Sequence, residues 1–291
     1  MKWLRLVRWE NLSIVLFAHL LLRYALFPFL NLTSKLSGFE FLIFSLSILG
    51  VTASGNIIND IFDVESDAIN NRKRPIALKE ISIKSANRLY VVLLLISIVF
   101  VCYVSYRAGS WWLLFVEIAS VYVLYLYAKY LKGIAILGNV LVSLLVSLSF
   151  MLMVFVELPF QLDRLALNWI LFYAVFAFWT NLNREVIKDV QDIKGDFFKN
   201  HHTLPIVMGR SRTNSVLFFS TAVLAIAVVI AVKNYLLAPS NTLIYFIFAV
   251  CIPLIFAAYQ LFKFQEKVNY KRLSAVYKLV MLSGLFSMVI L

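Results

Sequence analysis

Nine long apolar segments dominate this 291-residue sequence and limit the folds open to it. Each approaches or exceeds the length, about 17–25 residues, that an α-helix needs to cross the hydrocarbon core of a bilayer. Hydrophobic residues make up 62% of the chain, more apolar surface than a soluble domain of this size can bury. We predict an all-α polytopic membrane protein, a nine-transmembrane-helix bundle, with spans at about 10–32, 38–60, 88–106, 110–130, 134–156, 165–184, 213–232, 241–262 and 273–291.

No linker or low-complexity tract divides the chain, so we expect residues 1–291 to form a single integral-membrane domain. Most connections between the apolar segments are short. The two long ones, at about 61–87 and 185–212, are exceptions, and long loops in compact proteins are commonly functional. We expect both to be cytoplasmic loops that carry functional motifs.

Basic residues alternate between the connections, which indicates a topology. Most Lys and Arg residues lie in every second connection, and the opposite ones hold only Lys35, Arg107, Arg164 and Lys233. Because cytoplasmic connections are enriched in Lys and Arg, we predict that the N-terminus and both long connections are cytoplasmic and the C-terminus is outside. The net charge of +12 is therefore a topology signal rather than a sign of nucleic-acid binding.

Two acidic clusters begin the long connections. The first reads Asn59-Asp60-Ile-Phe-Asp63-Val-Glu-Ser-Asp67. The second begins at Arg184-Glu185, continues through Lys188-Asp189 and reaches Asp192 and Asp196. At 100° per residue, Asn56, Asn59, Asp63 and Asp67 fall on one helical stripe, with Asp60 at its edge and Glu65 outside it. The acids of the second cluster, Glu185, Asp189, Asp192 and Asp196, fall on another.

Stacked carboxylates repel one another and destabilise a helix, so a cation is expected among them. Ligand sets made only of oxygen suit hard cations, above all Mg²⁺, which bridges carboxylates to substrate phosphates. The alternative is that each cluster only caps its helix with solvated charge. We predict these metal ligands: Asp63, Asp67, Asp189, Asp192 and Asp196.

Basic residues interleave with the acids. They follow the first cluster, flank the second and close the fourth apolar segment, and they comprise Arg72, Lys73, Arg74, Lys129, Lys132, Arg184 and Lys188. A phosphate site needs direct cationic contacts beside its metals, which is one interpretation of these residues. Anchoring of the helices at the cytoplasmic membrane surface is the other.

The two motifs, in this order, resemble the hallmarks of the UbiA superfamily of intramembrane prenyltransferases. Those hallmarks are N-D-x-x-D-x-x-x-D and a later D-x-x-D-x-x-x-D, which here run from Asn59 to Asp67 and from Asp189 to Asp196. Between them, Leu126-Tyr127-Ala-Lys129-Tyr-Leu-Lys132 and Gly138-Asn139 resemble the family's Tyr/Lys segment after helix four. The number of apolar segments also matches.

The resemblance implies a Mg²⁺-dependent enzyme of the cell inner membrane. It would transfer a prenyl group from an isoprenyl diphosphate, such as geranylgeranyl diphosphate, to a lipophilic acceptor, with two Mg²⁺ ions and without an obligate protein partner. The matching positions imply catalytic roles for Asn59, Asp60, Arg74, Tyr127 and Lys188, and diphosphate contacts for Arg72, Lys73, Lys129, Lys132 and Arg184. The substrate pocket would comprise Arg8, Asn11, Asn56, Asn139 and Glu185.

The second motif, followed by Thr203-Leu204-Pro205 and Gly209, resembles the branch that contains digeranylgeranylglyceryl phosphate synthases. There the acceptor is a hydroxyl of a prenylated glycerol phosphate, and the product is an ether lipid. Aromatic and quinone-precursor prenyltransferases share part of the pattern, so an aromatic acceptor is an alternative, and terpene cyclisation is a further one. The segment from Phe197 to His202 departs from the usual basic and small residues.

A membrane ion-coupled transporter is the alternative from a different class. Such a protein would place its acids near the bilayer midplane, on helices interrupted by Gly or Pro. Here the acids lie at helix ends, and the chain has only nine glycines. Three ionisable residues remain inside apolar segments, and we expect His19 or Arg23 to contact Glu117, unless they belong to the site.

Overall fold

The computed structural model describes residues 1–158, 162–263 and 268–291. Nine of the helices in these ranges are long and apolar enough to cross a membrane, which confirms the predicted all-α bundle. In chain order the helices are α1 (Lys2–Val7), α2 (Trp9–Phe29), α3 (Gly38–Phe62), α4 (Val64–Ile69), α5 (Ile83–Ala108), α6 (Trp112–Leu131), α7 (Leu137–Glu157), α8 (Arg164–Phe198), α9 (Leu204–Met208), α10 (Arg210–Tyr235), α11 (Ser240–Lys263) and α12 (Tyr270–Ile290). The short helices α1, α4 and α9 are not spans.

Helix α8 is much longer than its apolar segment. The sequence predicts a span that ends near residue 184 and then a loop, but the helix continues to Phe198 and has 35 residues. The predicted loop boundary is therefore wrong, and the second acidic motif lies on helical turns. Asn70 and Arg72, which follow α4, stabilise these added turns. Asn70 donates to the carbonyl oxygen of Asp192, and Arg72 donates to its side-chain carboxylate. We call the end of the bundle at Phe62 and Phe198 the motif end.

Two hydrophobic clusters hold the bundle. The larger one fills the space among the spanning helices and includes the fully buried side chains of Trp169, Phe246 and Tyr277. The smaller one, at the motif end, comprises Leu6, Ile57, Ile76, Ile81 and Ala86. It packs α1 and the connection at 70–82 against α3 and α5, which brings the basic residues of that connection onto the motif end.

A buried ion pair ties the other end of the bundle together. The guanidinium of Arg23 on α2 pairs with the carboxylate of Glu157, the last residue of α7. Arg23 also donates to the carbonyl oxygen of Leu36 at 2.6 Å, and the Leu36 amide donates to Glu157 at 3.1 Å. These contacts join α2, α7 and the connection that enters α3.

The expectation that His19 or Arg23 contacts Glu117 is wrong. Glu117 accepts a hydrogen bond from the hydroxyl of Ser47, and the His19 ring lies 3.2 Å from the carbonyl oxygen of Ser149. His19 and Glu117 therefore each have one hydrogen-bond partner on another helix, and Arg23 has its counter-ion in Glu157.

We predict that Arg23→Ala lowers the stability of the folded protein by about 3 kcal/mol, because it leaves the fully buried Glu157 carboxylate without its counter-ion. Arg107→Ala is the matched control. It also breaks an Arg–Glu pair, with Glu40, but the Arg107 side chain is 55% exposed, so we expect little change. Thermal unfolding of both variants in detergent tests this. Equal losses of stability would contradict the burial argument.

Candidate active site

A cavity of about 230 Å³ opens at the motif end among α2, α3, α7, α8 and α12. Its deep part is mostly apolar, with Val15, Val146, Phe150, Phe176 and Leu285 on its walls. Along α8 its lining extends from Tyr173 to Lys188, which are fifteen helical steps, or about 22 Å, apart. Its other end is polar and is lined by Arg8, Asn11, Asn56, Asn59, Arg184, Glu185, Lys188 and Lys278. This shape fits an amphiphile with a charged head and a long apolar tail.

Arg8 lies in the break between α1 and α2 and adopts a left-handed conformation, with φ 56° and ψ 54°. Residues other than glycine adopt it rarely, and such strain is often found at functional sites. The turn directs the Arg8 guanidinium to Asp60 on α3, at 2.7 Å, and Arg74 approaches the same carboxylate at 3.8 Å. Asn56 fixes the break by donating to the carbonyl oxygen of Val7 at 3.1 Å.

The first motif crosses the end of a helix. Asp63 ends α3, and the chain re-enters a helical turn in α4 that carries Asp67. The ammonium groups of Lys132 and Lys199 both pair with Asp63, the latter at 3.1 Å. Burial raises the pKa of Asp63, but these two cations outweigh it and the pKa is lowered.

Asp67 has no basic partner among the described residues within ion-pair distance. Its pKa is raised to about 6 because burial, and then the charges of Asp63 and Asp60, disfavour the ionised form. Asp67 is therefore the carboxylate of the first motif that most needs a further cation.

The second motif shows the same division between paired and unpaired acids. Arg72, from the connection after α4, pairs with Asp192 at 2.7 Å. Asp196 is buried, 3.5 Å from the ring of His201 and 3.4 Å from the hydroxyl of Thr203. Asp189 has no basic partner in the described ranges and accepts a hydrogen bond from the amide of Asn139 at 2.8 Å. Of the five predicted metal ligands, Asp67 and Asp189 thus have no basic side chain within ion-pair distance among the described residues.

Asn70 and Gly195 hold the two motifs together. The Asn70 side chain donates to the carbonyl oxygen of Asp192 at 3.2 Å and accepts from the Gly195 amide at 2.9 Å. A Cβ at position 195 would lie 2.7 Å from the carbonyl oxygen of Ser66 on α4, closer than any real contact. Glycine therefore lets α4 pack directly on α8. The sequence signal for this close packing is the presence of a glycine inside the helical second motif, a position that helix propensity disfavours for glycine.

The residues at the motif end fit Mg²⁺. Every predicted ligand is a carboxylate, and the buried oxygens Asn59 Oδ1 and Asp60 Oδ2 have no hydrogen-bond partner. Within the described ranges, no three acidic, His or Cys side chains converge on one point. Mg²⁺ does not require this, because it commonly uses one or two carboxylates together with water and substrate phosphates.

Charge balance also favours added cations once a diphosphate is bound. Seven carboxylates face seven basic groups here: Asp60, Asp63, Asp67, Glu185, Asp189, Asp192 and Asp196 against Arg8, Arg72, Arg74, Lys132, Arg184, Lys188 and Lys199. The protein by itself is close to neutral at this point. A diphosphate would therefore bring uncompensated negative charge that divalent cations offset.

Several predicted residues are brought together and two are not. Tyr127 lines the cavity, at the start of a π-helical turn of the kind often found at functional sites. Lys129, predicted to bind diphosphate, is instead exposed, with its ammonium 4.8 Å from the centre of the Tyr130 ring. Lys73 is also exposed and has no ion pair among the described residues. Neither lysine forms an ion pair with a motif carboxylate among the described residues, and their contact with a diphosphate stays a prediction.

The structure adds residues that sequence reasoning missed. They are Lys199, which pairs with Asp63, Asn70 and Gly195 between the motifs, His201 beside Asp196, and Lys278, which lines the cavity from α12. His201 packs against Gly133, where a Cβ would lie 2.7 Å from its ring. In the sequence, Lys199 and His201 had a signal in their proximity to the second motif and Gly195 in its position inside that motif, whereas Asn70 and Lys278 had none.

Comparison with known proteins gives a consistent result. The model of the UbiA prenyltransferase family matches residues 13–284. A digeranylgeranylglyceryl phosphate synthase from Methanosphaera stadtmanae is 32% identical over 257 residues, which is 86% of each chain. A solved structure described as a digeranylgeranylglyceryl phosphate synthase in membranes has a TM-score of 0.67 at 22% identity and covers 100% of this chain and 98% of that one. A UbiA homologue from Archaeoglobus fulgidus bound to GPP and Mg²⁺ has a TM-score of 0.58 at 17% identity and covers 100% of both chains.

We predict that Gly195→Ala reduces catalytic turnover about 100-fold, because the added methyl group separates α4 from α8 and misplaces the two motifs. Gly38→Ala is the matched control, since a Cβ at that position meets nothing within 4 Å. Measurement of diphosphate release by both variants at equal folded concentration tests this. Wild-type turnover in Gly195→Ala would contradict the close-approach argument.

Proposed function

The chain belongs to the UbiA prenyltransferase family, and we propose that it transfers a geranylgeranyl group from its diphosphate to the hydroxyl of a prenylated glycerol phosphate. Membership makes the chain a prenyltransferase and an integral membrane protein, and removes the transporter alternative. The observation that carries the proposal is the cavity, which has a charged end beneath the two acidic motifs and an apolar wall along α8. The name of the Methanosphaera stadtmanae relative supports the acceptor.

We propose that the diphosphate binds between the two motifs. Arg72, Lys132 and Lys199 now neutralise carboxylates there, and each carries N–H donors that suit phosphate oxygens. Asp67 and Asp189, the unpaired acids, would hold Mg²⁺, one ion at each motif, with Asp63, Asp192 and Asp196 close by. Bound Mg²⁺ would supply charge neutralisation for the departing diphosphate. The Mg²⁺ in the Archaeoglobus fulgidus homologue supports this choice of metal.

The prenyl chain would extend into the apolar part of the cavity, with its allylic carbon near Tyr127. The allylic C–O bond breaks, and the diphosphate leaves with the electron pair. The electron-rich face of the Tyr127 ring suits the positive charge left on carbon. Asn56 and Asn59 provide polar contacts around it, and Arg8 and Arg74 hold Asp60 in place.

The acceptor hydroxyl then forms the new C–O bond and loses its proton. Glu185 is the carboxylate on the cavity wall, and we assign it this proton. Lys188 pairs with Glu185 and holds it in position, while Asn11 lies opposite on α2. The excess of basic residues on one side favours a cytoplasmic motif end and N-terminus.

Product analysis tests the acceptor. With geranylgeranyl diphosphate and Mg²⁺, we expect the purified protein to convert geranylgeranylglyceryl phosphate to a diether. We expect no conversion of 4-hydroxybenzoate, homogentisate or 1,4-dihydroxy-2-naphthoate, because these lack the lipid phosphate. Mass spectrometry of the products measures this. Prenylation of an aromatic acceptor in place of the glycerol lipid would contradict the proposed acceptor and leave the family assignment unchanged.

Isosteric substitutions test the metal ligands. We expect Asp67→Asn and Asp189→Asn each to lower Mg²⁺-dependent diphosphate release by about 100- to 1,000-fold, because each removes one negatively charged metal ligand. Glu65→Gln is the control, an exposed acid on the same short helix that faces away from the motif stripe. The Mg²⁺ concentration at half-maximal rate is the measurement. Unchanged Mg²⁺ dependence in either Asp variant would contradict the assignment of that residue as a metal ligand.

A further inference from the structure

Four basic side chains line the cavity, and two of them are not neutralised by a buried partner. Arg8 is balanced by Asp60, and Lys188 by Glu185. Arg184 has only a long contact of 3.8 Å with the Glu185 carboxylate that Lys188 already occupies, and its buried Nε atom has no hydrogen-bond partner. The remaining cation is Lys278 on α12. Because charge is costly in a membrane bundle, two under-compensated cations on one cavity wall indicate an anionic ligand.

The position of this pair separates it from the diphosphate site. Arg184 lies five residues before Asp189 and eight before Asp192 on α8, which places it about 8 to 12 Å deeper along the helix axis. Lys278 begins a stripe on α12 that continues with Met281 and Leu285, and all three line the cavity. A bound anion here would therefore have an apolar surface directly beneath it, as a lipid headgroup requires.

Glu10 on α2 is the present counter-ion of this pair. It forms an ion pair with Lys278 and lies within electrostatic range of Arg184, yet its side chain is 63% exposed. An exposed carboxylate can turn into water at little cost. Arg184 and Lys278 would then carry two positive charges, which match a phosphate monoester with its charge of about −1.5 to −2 at neutral pH.

We propose that Arg184 and Lys278 form a phosphate subsite, separate from the two-motif diphosphate site, that binds the phosphate monoester of the acceptor lipid. Glu10 occupies the subsite until the acceptor displaces it. This inference rests on the proposed function and deepens it, because the subsite selects acceptors that carry a phosphate. It also changes the role that the sequence predicts for Arg184, from the diphosphate to the acceptor.

The test compares acceptors with and without the phosphate. In Lys278→Met we expect kcat/KM for geranylgeranylglyceryl phosphate to fall about 10- to 100-fold, through KM, as for loss of a charged hydrogen bond. The KM for geranylgeranyl diphosphate and any rate with geranylgeranylglycerol stay at wild-type values. Lys278→Arg restores most of the loss, because it restores the charge.

We expect Glu10→Gln to change the KM for the phosphorylated acceptor in the opposite direction. Removal of the internal anion lowers the KM for the phosphorylated acceptor several-fold, since nothing then competes for the subsite. If Glu10→Gln and Lys278→Met raise this KM alike, the Glu10–Lys278 ion pair only joins α2 to α12, and the subsite proposal is overturned. Wild-type kinetics in Lys278→Met also overturn it.

The two hypotheses fail in different ways. If the wild-type protein makes no diether at all, the proposed function is wrong and the subsite falls with it. If the wild-type protein makes diether and Lys278→Met does so with an unchanged KM, the subsite alone is wrong. Unchanged binding of geranylgeranyl diphosphate in the variants shows that the fold is intact.

Discussion

Neutralisation of carboxylates at one end of a membrane bundle is the constraint on which this structure depends. The acids at this end are mostly removed from bulk water, and three of the paired ones, Asp60, Asp63 and Asp192, take cations from distant parts of the chain. Arg8 comes from the break before α2, Lys132 from the end of α6 and Arg72 from the connection after α4. Because an uncompensated charge here is costly, these pairs draw segments distant in sequence into one surface.

The same constraint explains how the site accepts its ligands. The cations that neutralise the motifs are donors suited to phosphate oxygens, so under the proposed function a diphosphate with metal ions would exchange one set of charge partners for another. Asp67 and Asp189 stand apart because no cation of the protein pairs with them. The cavity wall shows the reverse situation, because Arg184 and Lys278 have no buried carboxylate of their own to neutralise them. In both cases the imbalance defines the charge of the expected ligand.

Sequence reasoning succeeded where a periodic pattern carries the information. Apolar length located the nine spans within a few residues for most helices, and the 100° period placed Asp189 and Asp192 on adjoining turns of one helix. It failed at the end of α8, because the polar turns after residue 184 are stabilised by contacts with α4 that no local pattern contains. It also could not show that Lys129 and Lys73 are exposed, since the position of a basic residue along the chain does not determine where its side chain lies.

By itself the sequence determined the class of protein, a bundle of membrane-spanning helices, and the chemistry of its two acidic motifs, because hydrophobic length and helical spacing are local properties. Only the tertiary structure decided which charges pair. In it, Arg23 pairs with Glu157 rather than with Glu117, and Lys199 pairs with Asp63. Lys278, on the last helix, lines the same cavity as residues of α2. These contacts join residues up to 268 positions apart, and their selection depends on how the helices pack rather than on any segment alone.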